Sequence, residues 1–128
     1  MRGELGTVST DRAPAAIGPY SQAKTAGGFL FASGQIAIDP ATGEMNGNDI
    51  KTQAAQVMAN VGAILDEAGL TEADVVRTCC YLADINDFAA FNEVYGEFFK
   101  SKPARSCVAV RSLPKGALCE VEITAFAG

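Results

Sequence analysis

The chain has 128 residues, 48% of them hydrophobic, which suffices for one ordinary globular domain spanning residues 1–128 with its own core. Acidic residues number 15 against 10 basic ones, and the resulting net charge of −5 argues against a sequence-independent grip on a phosphate backbone and so against nucleic acid as the main partner. Histidine is absent, which removes the commonest general base, the Ser-His-Asp and Cys-His arrangements and the most frequent zinc ligand together.

The first residues, Met1-Arg2-Gly3-Glu4-Leu5-Gly6, carry neither the apolar stretch of a signal peptide nor an Arg/Ser-rich transit character. No apolar run approaches membrane-spanning length, so a soluble cytoplasmic protein without membrane contacts is expected. Val8-Ser9-Thr10 reads as a short strand. Ala13 to Pro19 is a loop punctuated by proline and glycine that cannot be helix throughout, and Tyr20 follows it directly. Two apolar runs, Tyr20 to Ala26 and Phe29 to Ser33, flank Gly27-Gly28, a dipeptide suited to the positive φ angles of a tight hairpin turn. Gln35 to Ile38 is expected to continue as strand after a kink or bulge at Gly34, until Asp39-Pro40-Ala41-Thr42-Gly43 turns the chain.

From Asp49 to Ala68 the apolar residues fall at helical spacing, with Asn48 or Asp49 as N-cap and Gly69 as the stop. Val75 to Ala83, rich in β-branched residues, reads as a buried strand. Phe88, Phe91, Tyr95, Phe98 and Phe99 line one face of a second helix begun near Asp87, and these aromatics are assigned to the core. Arg105 to Ser112 and Leu118 to Phe126 read as two final strands joined by Leu113-Pro114-Lys115-Gly116. The fold class is therefore α+β, with helices packed on one face of a mixed sheet.

Arg105 stands at the mouth of an apolar, β-branched strand. Its planar donor fork cannot lose its proton, so it suits recognition of a small carboxylate better than proton transfer. Glu120 and Glu122 share one face of the last strand, and a hairpin through Pro114-Lys115-Gly116 would bring that strand beside Arg105. A carboxylate there could orient or deprotonate a water, or could simply meet solvent. Arg111, an even number of residues beyond Arg105, reads as solvated. Of the four cysteines, Cys79, Cys80 and Cys119 read as reduced structural thiols, with Cys79 and Cys80 on opposite strand faces. Cys107 stays open because Arg105 is its neighbour.

The segments Ala13-Pro14-Ala15-Ala16-Ile17-Gly18-Pro19-Tyr20-Ser21-Gln22, Ser33-Gly34-Gln35-Ile36, Asn86-Asp87-Phe88, Asn92, Tyr95, Phe98-Phe99 and Pro103-Ala104-Arg105-Ser106-Cys107-Val108 carry a pattern. Together they resemble the Rid family, also called the YjgF family, of enamine/imine deaminases. The resemblance spans nearly the whole chain in the right order. It implies a chorismate-mutase-like α+β fold assembled as a homotrimer, with active sites in the clefts between subunits. It also implies hydrolysis of small 2-imino or 2-enamino acids, such as 2-aminoacrylate and 2-iminobutanoate, to 2-keto acids and ammonia, with no metal or organic cofactor.

By the same resemblance Arg105 holds the substrate carboxylate, Glu120 positions the attacking water and Tyr20 closes the pocket. Backbone groups of Gly34 and Cys107 help fix the ligand, and Ser33 and Asn92 line the pocket, although Asn92 also fits a polar helix surface. Without a histidine partner the Cys107 thiol suits a pocket wall better than a nucleophile. The connection Lys100-Ser101-Lys102 is short for this family, which reshapes the pocket rim. A non-catalytic module that binds small carboxylates as a sensor or regulator is the rival reading. A ribonuclease or translation inhibitor fits poorly with the charge and the missing histidine.

Overall fold

The computed structural model describes residues 4–128, and the reading of Met1–Gly3 as free of leader character lies outside that span. The chain runs β1 (Leu5–Val8), β2 (Ala23–Ala26), β3 (Phe29–Gln35), α1 (Ile50–Glu67), β4 (Val75–Leu82), α2 (Phe88–Phe98), β5 (Ala104–Ala109) and β6 (Cys119–Phe126). The strands form one six-stranded sheet in the order β1-β2-β3-β6-β4-β5. Only the β4–β5 pair is parallel, so the sheet is mixed.

The β2–β3 hairpin turns on Gly27 and Gly28 at φ +56° and +85°, values that glycine reaches without steric cost. The first strand lies earlier than Val8–Thr10. Gln22 is buried just before β2, and its side-chain amide takes both the N–H of Thr10 (2.6 Å) and its carbonyl (3.0 Å), which removes Thr10 from any ladder. The expected extension of strand through Ile38 also fails. β3 ends at Gln35 after a register shift, and the carbonyls of Ile36 and Ile38 accept instead from the Asn60 amide of α1, at 3.1 and 3.0 Å.

Helix α1 begins where the Asp49 carboxylate accepts from the Thr52 N–H at 3.0 Å. It ends at Gly69, φ +75°, where the Gly69 and Leu70 N–H groups bond back to Asp66 and Leu65. Its buried stripe, Ala54, Val57, Met58, Val61, Ile64 and Leu65, packs on β3, β6 and α2. From α2, Phe91, Tyr95 and Phe99 enter the same core, and the Tyr95 hydroxyl meets Thr78 at 2.7 Å. Phe88 does not follow them. It stays 36% exposed at the first position of the helix, where the Arg105 guanidinium of β5 lies over its ring.

Strand β5 is where the expectation from sequence is corrected most. It does not form a hairpin with β6. The unit β4-α2-β5 is a βαβ crossover, which requires parallel strands and lays β5 beside β4 at the sheet edge. β6 then pairs with β4 on one side and β3 on the other. The strand expected to reach Ser112 stops at Ala109, so Arg111 lies beyond it and is exposed.

Asn60 is fully buried and holds the path after β3 against α1. Asn60→Leu leaves two carbonyls without a donor, and a loss of about 2–3 kcal/mol is expected from urea unfolding, with the native fold retained.

Candidate active site

Arg105 projects from β5 toward α2. Its guanidinium donates to the Asn92 side-chain oxygen at 2.7 Å and lies 4.7 Å from the centre of the Tyr95 ring and 5.5 Å from that of Phe88. Phe88, Asn92 and Tyr95 share one helix face by their spacing, so one side of α2 acts as a cradle that fixes the guanidinium plane. No carboxylate among the described residues pairs with Arg105, whereas Arg12 has two, Asp66 and Glu67, and Lys51 has Glu93. The cation lines an open groove of about 620 Å³ with Asn92, Tyr95, Phe99, Lys100 and Lys102. Phe88 and Tyr95 were assigned to the core from sequence; their helical spacing from Asn92 was the available signal for this second role.

Glu120 lies in a different cleft. Tyr20, Ser33, Gly34 and Glu120 line it together, with apolar walls from Ile17 and Ile36. Gln22 builds that wall by gathering the carbonyls of Thr10, Ala13 and Pro14 onto one amide. Ser33 is pinned through its hydroxyl to the Ser21 carbonyl at 2.7 Å. Gly34 is required for space rather than for backbone freedom, since a Cβ there would collide with the Glu120 carboxylate. Burial raises the pKa of Glu120, and the like charge of Glu122 raises it further. Glu122 accepts from the Tyr81 hydroxyl, and that bond, ahead of burial, pushes the Tyr81 pKa up to about 12.

The register explains why the two groups part. Arg105 pairs across to Thr78, and Thr78 to Ile123, all on the face covered by the helices. Glu120 pairs with Tyr81, and Tyr81 with Val108, on the opposite face. Within one chain the expected residues thus fall into two groups, Tyr20, Ser33, Gly34 and Glu120 in one cleft and Arg105 with Asn92 in the other. Cys107 sits on the Arg105 face opposite Cys80 and lines neither cleft.

Burial raises the Cys107 thiol despite the opposing pull of Arg105, and pushes Cys80 and Cys119 up to about 12. These are poor nucleophiles at neutral pH. Among the described residues no three His, Cys, Asp or Glu side chains cluster to hold a metal ion, and no helix is long and apolar enough to cross a membrane. Titration of the native protein with an aromatic disulfide at pH 8 should leave Cys80 and Cys119 unreacted, while denatured protein yields all four thiols.

Known proteins share this architecture. The family model described as Endoribonuclease L-PSP matches residues 10–127. A RutC family protein of Pyrococcus horikoshii is 54% identical over 120 residues, covering 93% of this chain and 95% of that protein. The human 2-iminobutanoate/2-iminopropanoate deaminase is 45% identical over 122 residues, 94% of this chain and 89% of that protein. The crystal structure of Escherichia coli TdcF with bound serine superposes with a TM-score of 0.92 at 42% identity, covering 96% of this chain and 99% of that one. A match of this extent to the family model, borne by the same α+β sheet, shows that the chain belongs to the Endoribonuclease L-PSP family, the Rid (YjgF) family.

Proposed function

We propose that the protein hydrolyses small 2-imino acids to 2-keto acids and ammonium, in sites assembled between copies of the chain. The observation that carries this reading is Arg105, a guanidinium held by Asn92 and two rings, facing an open groove with no carboxylate partner among the described residues. Such a fork suits the α-carboxylate of a small acid. The human relative's name as an imine deaminase and serine bound to TdcF, a small molecule with the same carboxylate, support the substrate class.

The chemistry is within reach of these side chains. A protonated imine is already electrophilic at C2. Glu120 accepts a proton from water as its oxygen bonds to C2, giving a carbinolamine. That proton then passes to nitrogen; as the C–N bond breaks and the carbonyl forms, Glu120 takes the hydroxyl proton and hands it to the departing ammonia, so that iminium and water become keto acid and ammonium. Ser33 and the backbone at Gly34 hold the ligand near Glu120, and Tyr20 covers it. No residue here needs a cofactor for these steps.

The two clefts lie on opposite faces of one sheet, so a complete site needs the Arg105 groove of one copy against the Glu120 cleft of the next. A contact between two different surfaces forms a ring when its rotation closes, and the resemblance to the Rid family supports a ring of three. The exposed rings of Phe29, Phe31 and Phe126 on the uncovered sheet face favour such assembly. Four free thiols suit a reducing, cytoplasmic setting. The endoribonuclease in the family's description is not carried over, because a chain without histidine and with a net charge of −5 is poorly equipped to cleave RNA.

The test generates 2-aminoacrylate with a serine dehydratase and follows keto-acid release against semicarbazide trapping. Wild-type protein should accelerate release, and Arg105→Ala and Glu120→Gln should each lose about a hundredfold or more in kcat/KM. Gly34→Ala should do the same with Tm nearly unchanged, since only the Glu120 side chain has to move. Wild-type protein that binds pyruvate without accelerating release would identify a sensor instead.

Arg105→Ala and Glu120→Gln proteins, unfolded together and refolded as a mixture, should regain about a quarter of wild-type activity, as random assembly of a three-membered ring predicts. Activity that stays at the level of the separate variants would place both groups in one chain's site.

The pH profile supplies a further check. Glu120 must be ionised to accept a proton, and burial with Glu122 raises its pKa, so kcat/KM should rise with pH through a midpoint above the ordinary glutamate value. Glu122→Gln removes the like charge and should move that limb to lower pH.

A further inference from the structure

The connection from α2 to β5 carries charge that holding a single carboxylate does not require. Lys100 and Lys102 line the same groove as Arg105, and no acidic residue lines it with them. Neither lysine belongs to an ion pair among the described residues, where the acidic partners found are Asp66, Glu67 and Glu93, each engaged elsewhere. In a chain of net charge −5, this groove therefore concentrates cations against the general trend. Like charges gathered this way repel one another unless an anion sits among them.

The backbone that carries the lysines is also held in place. Between them, Ser101 is tied to Glu72 twice, its N–H donating to the carboxylate and its hydroxyl to the backbone carbonyl, both at 3.2 Å. This spends the Glu72 carboxylate on the backbone and anchors the middle of the connection. Lys102 turns the chain in the left-handed region at φ +56°, a conformation that costs a residue with a Cβ some strain. A fixed Ser101 with a lysine on each side, one in a strained turn, makes a rim with a set geometry.

We propose that the groove selects 2-imino acids bearing a second carboxylate, such as the imines formed by oxidising aspartate or glutamate. Arg105 takes the α-carboxylate, because its planar fork fixes the orientation that attack at C2 requires. Lys100 and Lys102 take the distal carboxylate. As point charges on flexible stems they set less strict geometry and accommodate chains of different length. The buried rings of Tyr95 and Phe99 line the same groove and give it apolar surface for the intervening methylene groups. This inference rests on the deaminase reading and names the substrate class for that same site.

The experiment compares imines made in place by amino acid oxidases from aspartate, glutamate, alanine and 2-aminobutyrate, each followed as keto-acid release in competition with semicarbazide. The intact protein should favour the dicarboxylic pair over the monocarboxylic pair by about tenfold or more in kcat/KM, and added salt should shrink that ratio. The double variant Lys100→Gln with Lys102→Asn should abolish the preference; asparagine is chosen because it tolerates positive φ, which guards the turn. Lys100→Gln alone, which leaves the strained position untouched, should reduce the ratio by itself. If the monocarboxylic imines are accelerated while the dicarboxylic ones gain nothing, or if both variants keep the ratio, the inference falls and the deaminase reading survives. If no imine of either class is accelerated, the deaminase reading falls and takes the inference with it.

Discussion

Side chains alternate across a sheet, and β4 stands between β5 and β6. From those two facts the arrangement of the functional groups follows. Arg105 is in register with Thr78, whose side chain is fully buried beneath the helices, so Arg105 must emerge on the helical side. Glu120 is in register with Tyr81 and must emerge on the other. A slip of one residue in β6 would turn its buried set, Cys119, Val121, Ile123 and Ala125, outward, so the cost of moving Glu120 to the other face is the cost of losing the core. Strand β5 buries no residue fully, and the side on which Arg105 emerges is held by the contacts of its guanidinium with Asn92 and Tyr95 on α2.

The Glu120 cleft depends on loops, and loops depend on where their backbone polar groups go. Gln22, Gln53 and Asn60 are buried amides that each bind backbone far away in sequence. Gln53 accepts from the Leu118 N–H and donates to the Gly47 carbonyl, which fastens the segment entering β6 to α1. Asn60 is itself braced, since its oxygen accepts from Gln56 at 2.9 Å. Among the described residues no buried side-chain nitrogen or oxygen is left without a partner. A satisfied buried amide contributes only about 1 kcal/mol net, but an orphaned one costs more, which is why these amides specify loop paths as well as stability.

Much of this was legible in the residues. Gly27-Gly28, the Asp49 cap, the Gly69 stop and the alternation of β6 each rest on a local rule, and the structure follows each of them. The partner of β5 was not legible in the same way. A proline-glycine turn before β6 favours a hairpin locally, while α2 between β4 and β5 favours a parallel crossover, and the crossover wins because it buries Phe91, Tyr95 and Phe99. Phe88 shows the same limit on a smaller scale. Helical spacing puts it on the face with Asn92 and Tyr95, but only the placement of β5 decides that this part of the face meets a guanidinium rather than the core. The buried amides were hidden for a related reason, because glutamine and asparagine in a helix or strand read as surface residues until their distant partners are known.

In the proposed deaminase, working without histidine sets a condition on Glu120 that the fold satisfies. A carboxylate that takes a proton from water benefits from a pKa above its ordinary value, and burial and the like charge of Glu122 both push in that direction. A guanidinium fixed within about 4–6 Å would work against them, lowering the carboxyl by one to three units. Placing β4 between β5 and β6 keeps Arg105 out of the influences acting on Glu120 within the chain. In the proposed assembly a second copy brings an arginine toward the cleft at a separation set by the length of the substrate between them, with the substrate's own negative charge lying against the cation.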